Sequence, residues 1–407
     1  MTKEIMNSYD DILCSVKEAL EYIARQPRWD FPAKEELLGG ISEAVRRINA
    51  ELFGSEKVKF CDLCLLFGGK DGVDKDRFMK ECSLWADVTG KALRNRYRAG
   101  NVWDEKFLWL MDYARYVDKE IIVENARKSL LRLDEEQQKQ LNLYYQSLKE
   151  MWGNLDTGKG IYEVASNRAE MLAEHREDFI WLYGKLEDYR SKLVLCAMLY
   201  NWITFDPDYL QVMEEGNFTD YFDLDIVRCS ENEVVCDLGA YTGDSALNFI
   251  QTYGKYKKIY CYEITENILE TAKKNLRGFH DIEFRNKGVG AQNGRMYMKE
   301  GRVDATRNTI ENYDTGKEIE VVSLDNDVAD KVSLIKMDIE GAEQQALLGC
   351  RRHIKEEHPK LLISVYHNNE DIWKIPRMID NMDKDYHFYL RSNGKQWGPA
   401  EIVLFAV

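Results

Sequence analysis

No stretch of this chain holds the roughly 18 uninterrupted apolar residues that a membrane-spanning helix requires. The nearest approach, "LVLCAMLYNWI", is broken by Asn201 and reads as a buried helix. The opening "MTKEIMNSYDD" lacks the apolar core of a secretory leader. Cysteine occurs nine times, an odd number without the dense, regular spacing of a disulfide framework, so the thiols are expected to be reduced in a cytoplasmic protein. Positive charge is in deficit: 56 basic against 71 acidic residues leave a net charge of -15, which repels polyanions and argues against nucleic acid as a partner. The six histidines are scattered without metal-ligand spacing, and no metal is assigned. Repeats at a fixed period and low-complexity tracts are also missing. These absences leave a soluble globular protein, and 407 residues with 44% hydrophobic content suit two domains.

Up to about residue 170 the apolar residues recur at helical spacing, as in Ile12, Leu13, Val16, Leu20 and Ile23, or Leu37, Leu38, Ile41, Val45 and Ile48. Residues 1–170 are therefore expected to form an α-helical domain of unknown role. Pro32 opens one of its helices, and Asp134 in "RLDEEQQKQL" can cap another. Residues 154–160, "NLDTGKG", interrupt the pattern and are the best linker candidate. Residues 171–228 read as a helical lead-in to a domain spanning 229–407. Within that last domain the rhythm changes to short apolar runs separated by helical stretches: "EVVCDL", "KIYCYE", "IEFRNKGV", "VSLIKMDI" and "KLLISVYH", then "HFYLRS" and "IVLFAV". Alternation of this kind predicts an α/β fold with a mostly parallel sheet. The last two runs are joined only by "NGKQWGPA", too short for a parallel crossover, so they are expected to pair antiparallel. The layout is Rossmann-like.

In such sheets ligands sit beyond the carboxyl ends of the strands, at the turn into the first helix. Here that turn lies in "EVVCDLGAYTGDSALNFI", residues 233–250. Gly239 lets the backbone turn sharply, Gly243 lets the helix start close to the strand, and Ala240 and Tyr241 lie between them. Asp237 and Asp244 place carboxylates where a dinucleotide phosphate would otherwise lie, and the third glycine of the dinucleotide fingerprint is missing. A positively charged sulfonium suits this loop better, which points to S-adenosylmethionine. Glu263, at the end of the second strand, stands where an acid accepts ribose hydroxyls.

The order of "VVCDLGAYTGDS", "YCYE", "VVSLD", "LIKMDIEGAEQQALLGC", "PKLLISVYHNNEDIWKIP" and "YHFYLRSNGKQWGPAEIVLFAV" resembles the FkbM family of S-adenosylmethionine-dependent methyltransferases. The likeness covers roughly residues 230–407. Its most specific signature, K-x-D-x-E-G-x-E, is present as Lys336, Asp338, Glu340, Gly341 and Glu343. The proline that often follows the second-strand glutamate is Ile264 here. The resemblance implies O-methylation of a hydroxyl on a sugar, glycan or small secondary metabolite.

Methyl transfer to oxygen needs alignment and a route for the hydroxyl proton. Period-two alternation places Lys336 and Asp338 on one side of the fourth strand, with Asp338 at its carboxyl end beside the expected methyl. Asp338, which is also expected to touch the cofactor, and Glu340 are the candidate acceptor-site groups, with Lys336 tuning them. His367, ending the fifth strand, is a candidate general base. Asp338, Glu340 and His367 could together also hold a hard divalent ion. Cys61 and Cys64 form an isolated C-x-x-C and read as buried cysteines; the basic stretch 91–100 reads as a solvated helix face; the aromatic stripe of "WDEKFLWLMDYARYV" reads as core. The helical front half serves as lid, substrate selector or homo-oligomerisation surface. Two other functions fit less well: a noncatalytic module that binds the cofactor or a partner, and a nucleic-acid methyltransferase, which the charge and the lack of D/N-P-P-Y oppose.

Overall fold

A computed structural model describes residues 3–28, 33–53, 101–116, 119–205, 221–299, 308–311, 314–392 and 398–407, together with Leu210 and scattered positions between 75 and 90. Pro32, Cys61, Cys64 and the basic stretch 91–100 lie outside the described residues. The chain divides into two compact units, Met1–Ala126 with Leu172–Arg176, and Arg127–Met171 with Glu177–Val407.

Helices Lys3–Arg25, Lys34–Phe53 and Val102–Tyr116 belong to the first unit. The helical periodicity becomes burial there: Leu13, Val16, Leu20 and Ile23 of one helix and Ile41, Val45 and Ile48 of the next are buried. Phe107, Trp109 and Tyr113 are core residues too, with the Trp109 and Tyr113 rings stacked at 5.2 Å. Among the described residues no helix is long and apolar enough to cross a membrane.

The second unit is built on a seven-stranded sheet. Its strands are β1 (Val234–Leu238), β2 (Lys258–Tyr262), β3 (Ile282–Arg285), β4 (Leu334–Met337), β5 (Lys360–Ser364), β6 (Phe388–Ser392) and β7 (Ile402–Ala406). They are ordered β6-β7-β5-β4-β1-β2-β3. The first five are parallel, and β7 runs antiparallel between β5 and β6, as the short final connection requires. Every residue of β1 and β4 is buried, which is why these runs are continuously apolar apart from Asp237 and Lys336. The mixed α/β fold with a mostly parallel Rossmann-like sheet is therefore present.

One connection departs from strand–helix alternation. Only the first half of "IEFRNKGV" enters the main sheet; the rest begins a separate four-stranded sheet of Gly288–Val289, Gly294–Lys299, Thr309–Glu311 and Glu318–Val322. Met298, Ile319 and Val321 form its core with Ile264, Met296 and Ile310. Alternating "GRMYMK" and "EIEVV" carry the period of two that such a half-buried sheet needs.

Residues 127–171 join the sheet-bearing unit. Asp134 caps helix Glu135–Ser147 in a reciprocal box with Gln137. The linker candidate 154–160 is instead part of a hairpin, with Leu155 opposite Tyr162 and Asp156 opposite Ile161. Gln146 and Asn142 of the preceding helix bond to it, because the turn residues that could have formed a linker also satisfy a tight reversal. The apolar "LVLCAMLYNWI" lies in helix Tyr189–Thr204 and is buried, with Ser191 bonded to Leu390 of β6. Arg391 of β6 is also buried and paired with Asp188 at 2.7 Å and Asp223 at 2.8 Å, which anchors the chain just after Tyr221.

Candidate functional site

A cavity of about 410 Å³ opens at the carboxyl ends of β1, β2, β4 and β5, within the size range of small-molecule sites. Each strand delivers one element to it. Beyond β1 the chain turns through Gly239 at φ 83°, and the amides of Gly239 and Ala240 both donate to the Tyr262 carbonyl at the end of β2, at 3.0 and 2.8 Å. Gly243, at φ 81°, starts helix Asp244–Tyr253 with Leu276 packed where a Cβ would stand. Beyond β2, Glu263 accepts from the amides of Tyr241 at 3.2 Å and Thr265 at 2.8 Å. Its carboxylate thus braces the glycine loop and retains lone pairs for a ligand.

Of the residues expected to hold a cofactor, Gly239, Tyr241, Asp244, Glu263 and Asp338 line the cavity. Asp237, Ala240 and Gly243 do not line it. Parallel register sets Lys336 of β4 directly beside Asp237 of β1, and the two form a buried ion pair at 3.1 Å. The other Asp237 oxygen accepts from Ser245 at 2.6 Å. Lys336 also donates to the Gly239 carbonyl at 2.7 Å. Asp237 therefore stiffens the loop from behind, and Lys336 joins two strand ends. Burial pushes the lysine's pKa down, but Asp237 and Asp338 outweigh it and hold the ammonium charged.

Lys336, Asp338, Glu340 and His367 all line the cavity. The Asp338 Oδ2 atom accepts from the Tyr221 hydroxyl at 2.8 Å, which also meets Ser364 Oγ at 3.1 Å. Its Oδ1 atom faces His367 Nε2 at 3.5 Å, and Glu340 Oε2 stands 3.6 Å from the same nitrogen. Neither Asp338 Oδ1 nor His367 Nε2 has a hydrogen-bond partner among the described residues. The other imidazole nitrogen, Nδ1, pairs with buried Glu343 at 2.9 Å, and Glu343 also accepts from the Ile339 amide. Asp338, Glu343 and His367 are the carboxylate and imidazole groups whose ligand atoms come within 4.8 Å of one another, so Glu343 takes the place expected for Glu340.

This surrounding changes the chemistry of the histidine. Burial alone would lower its pKa, but Glu343, Glu340 and Asp338 overcome it and raise it from 6.5 to about 10. At neutral pH His367 is an imidazolium with no lone pair to take a proton, so a general-base role does not suit it. Asp338 is affected in the opposite sense: burial raises its pKa, but His367, Lys336 and the Tyr221 hydroxyl outweigh that and hold it below the usual carboxylate range. A group with a raised folded pKa contributes stability that is complete below its ordinary value and is lost as pH climbs through the raised one. The melting-temperature advantage of the parent over His367→Gln is therefore expected to be full at pH 6.5 and to shrink toward about 10. A constant difference across that range would mean that the imidazole is neutral.

Tyr221, Glu343, Tyr144 and Leu148 escaped sequence reasoning. Glu343 carried a signal, since it belongs to the K-x-D-x-E-G-x-E run and opens helix Glu343–Gly349. Tyr221 lies 117 residues from Asp338 and has none. Tyr144 lines the cavity from helix Glu135–Ser147, and Leu148 follows it. Nearby, Trp152 donates to the Tyr366 carbonyl at 2.7 Å, next to His367.

Residues 237–396 match the family model described as the Methyltransferase FkbM domain. Among solved structures, the methyltransferase FkbM from Methylobacillus flagellatus KT is similar at 26% identity and a TM-score of 0.53, over 62% of this chain and 66% of that one. This chain thus spans just under two thirds of that protein. An rRNA methylase from Streptococcus thermophilus is similar at 14% identity and a TM-score of 0.30, over 44% of this chain and 87% of that one. Fibrillarin from Aeropyrum pernix, in complex with natively bound S-adenosyl-L-methionine, is similar at 13% identity and a TM-score of 0.29, over 45% and 70%. No curated protein matches.

Proposed function

We propose, from the premise that residues 237–396 form a domain of the FkbM methyltransferase family, that this chain transfers a methyl group from S-adenosylmethionine to a hydroxyl oxygen. The residues fit the cofactor. Gly239 brings bare backbone to the cavity, and a Cβ there would lie 1.9 Å from the Asp338 carbonyl oxygen. Glu263 presents a carboxylate to ribose hydroxyls, and the glycine loop lies beside the methionyl end. When bound, S-adenosylmethionine supplies an electrophilic methyl on a sulfonium.

One observation carries the choice of oxygen. His367 Nε2 and Asp338 Oδ1 are a buried donor and a carboxylate acceptor, 3.5 Å apart, each without a protein hydrogen-bond partner among the described residues. A hydroxyl can donate to Asp338 and accept from the imidazolium, and oxygen keeps a second lone pair for the methyl. A neutral amine has one lone pair, which His367 would occupy. Asp338 then accepts the hydroxyl proton as the new bond forms, and Tyr221 fixes the direction of its free oxygen. Holding the three reacting atoms in line contributes roughly 7–11 kcal/mol. Tyr144 and Leu148 wall the acceptor end, so the helical region selects the acceptor.

Calorimetry tests the reading. The parent is expected to bind S-adenosylmethionine and S-adenosylhomocysteine with micromolar-range Kd, about −8 kcal/mol. Glu263→Ala should lose at least about tenfold, through the ribose contact and the loop brace together. Asp338→Asn should keep S-adenosylhomocysteine binding while methyl transfer falls by about 10²–10⁴. A folded parent that binds neither compound would sink the proposal; binding without transfer to any hydroxyl would favour a noncatalytic module.

A further inference from the structure

The charge on the cavity wall limits the acceptor, an inference that rests on the methyltransferase reading. Asp244, Glu263, Asp338, Glu340 and Glu401 line the cavity, against Lys287, Lys336 and His367. Each of the three cations is paired from behind by a carboxylate that does not line it. Lys336 meets Asp237 at 3.1 Å, His367 Nδ1 meets Glu343 at 2.9 Å, and Lys287 meets Asp327 at 3.1 Å and Glu320 at 3.0 Å. Those outer carboxylates spend the positive charge before it reaches the ligand, so the five lining carboxylates set the sign of the field.

Two of them, Asp244 and Glu263, belong to the glycine-loop end, where a sulfonium and an ammonium suit them. The other three gather at the acceptor end with the rings of Tyr144, Tyr221 and Tyr366. An anion entering there meets like charge in a confined space where screening is weak. We infer that the acceptor is an uncharged or cationic hydroxyl compound, such as a neutral or amino-substituted sugar. Phosphorylated, sulfated and carboxylated hydroxyl compounds are rejected, and with them nucleotide-linked sugars and RNA.

A probe anchored by adenosine reads the acceptor end without a known acceptor. Three 5′-thioadenosine derivatives carry a short arm on sulfur ending in a hydroxyl, an ammonium or a carboxylate, and calorimetry compares them with S-adenosylhomocysteine on the full chain. The ammonium and hydroxyl arms are expected to bind at least about tenfold tighter than the carboxylate arm. That gap should narrow in Glu340→Gln, with Glu401→Gln as the second variant if the first does not fold. Equal binding of the three arms, a reversed order, or a gap untouched by a folded variant would overturn the inference. Failure of S-adenosylhomocysteine itself to bind would strike the methyltransferase reading instead, so the two failures are distinguishable.

Discussion

Gly239→Ala is expected to abolish measurable cofactor binding and to lower the melting temperature of the sheet-bearing unit. Two costs coincide at this position. The residue sits at φ 83°, where an L side chain is strained, and its Cβ would lie 1.9 Å from the Asp338 oxygen and 2.9 Å from the Asp338 carbon. Both are backbone atoms at the end of β4, so relief requires the strand ends to part. Parting them breaks the bond from the Asp338 amide to the Leu238 carbonyl, now 3.0 Å, and moves the Asp338 carboxylate. Strain and overpacking together should destabilise by about 3 kcal/mol or more. Gly254→Ala is the natural comparison, because Gly254 has φ 81° but nothing within 4 Å of the added carbon. It should show only the conformational cost and bind S-adenosylhomocysteine like the parent. If the two variants melt alike, the close approach of the loop to β4 is wrong.

Lys336→Met should destabilise by about 3–5 kcal/mol, because it leaves the Asp237 carboxylate buried without its cation. Lys336 is 4% and Asp237 2% exposed, so water cannot replace the lost partner. The variant also frees the Gly239 carbonyl, and cofactor binding should weaken along with stability. Adding Asp237→Asn removes the stranded charge and should recover part of the stability, as expected for neighbours that share one interaction. Thermal unfolding of the two single variants and the double variant checks this. Full stability of Lys336→Met, or no recovery in the double variant, would show that the pair does not tie β1 to β4.

Much of the fold was readable because its signals are local. Continuous apolar runs such as "EVVCDL" and "KLLISVYH" state burial on both faces, and the short connection before "IVLFAV" permits only an antiparallel neighbour. The glycine loop, Glu263 and the Lys336–Asp338 alternation were legible in the same way, since strand ends and period-two facing follow from chain order. The small sheet after β3 was less legible, because its two-residue first strand offers too short a pattern. Residues 154–160 misled because turn residues serve hairpins and linkers alike.

By itself, then, the sequence determined which elements exist and which residues end each strand, since covalent order and periodicity belong to one segment at a time. Only the tertiary structure decided the direction and charge of those residues. Register across β1 and β4 turned Asp237 away from the cavity and onto Lys336. Packing brought Tyr221 to Asp338 from 117 residues away. Placing Glu343 against the inner nitrogen of His367 changed an expected base into an imidazolium, because a pKa depends on which charges lie within a few ångströms in space.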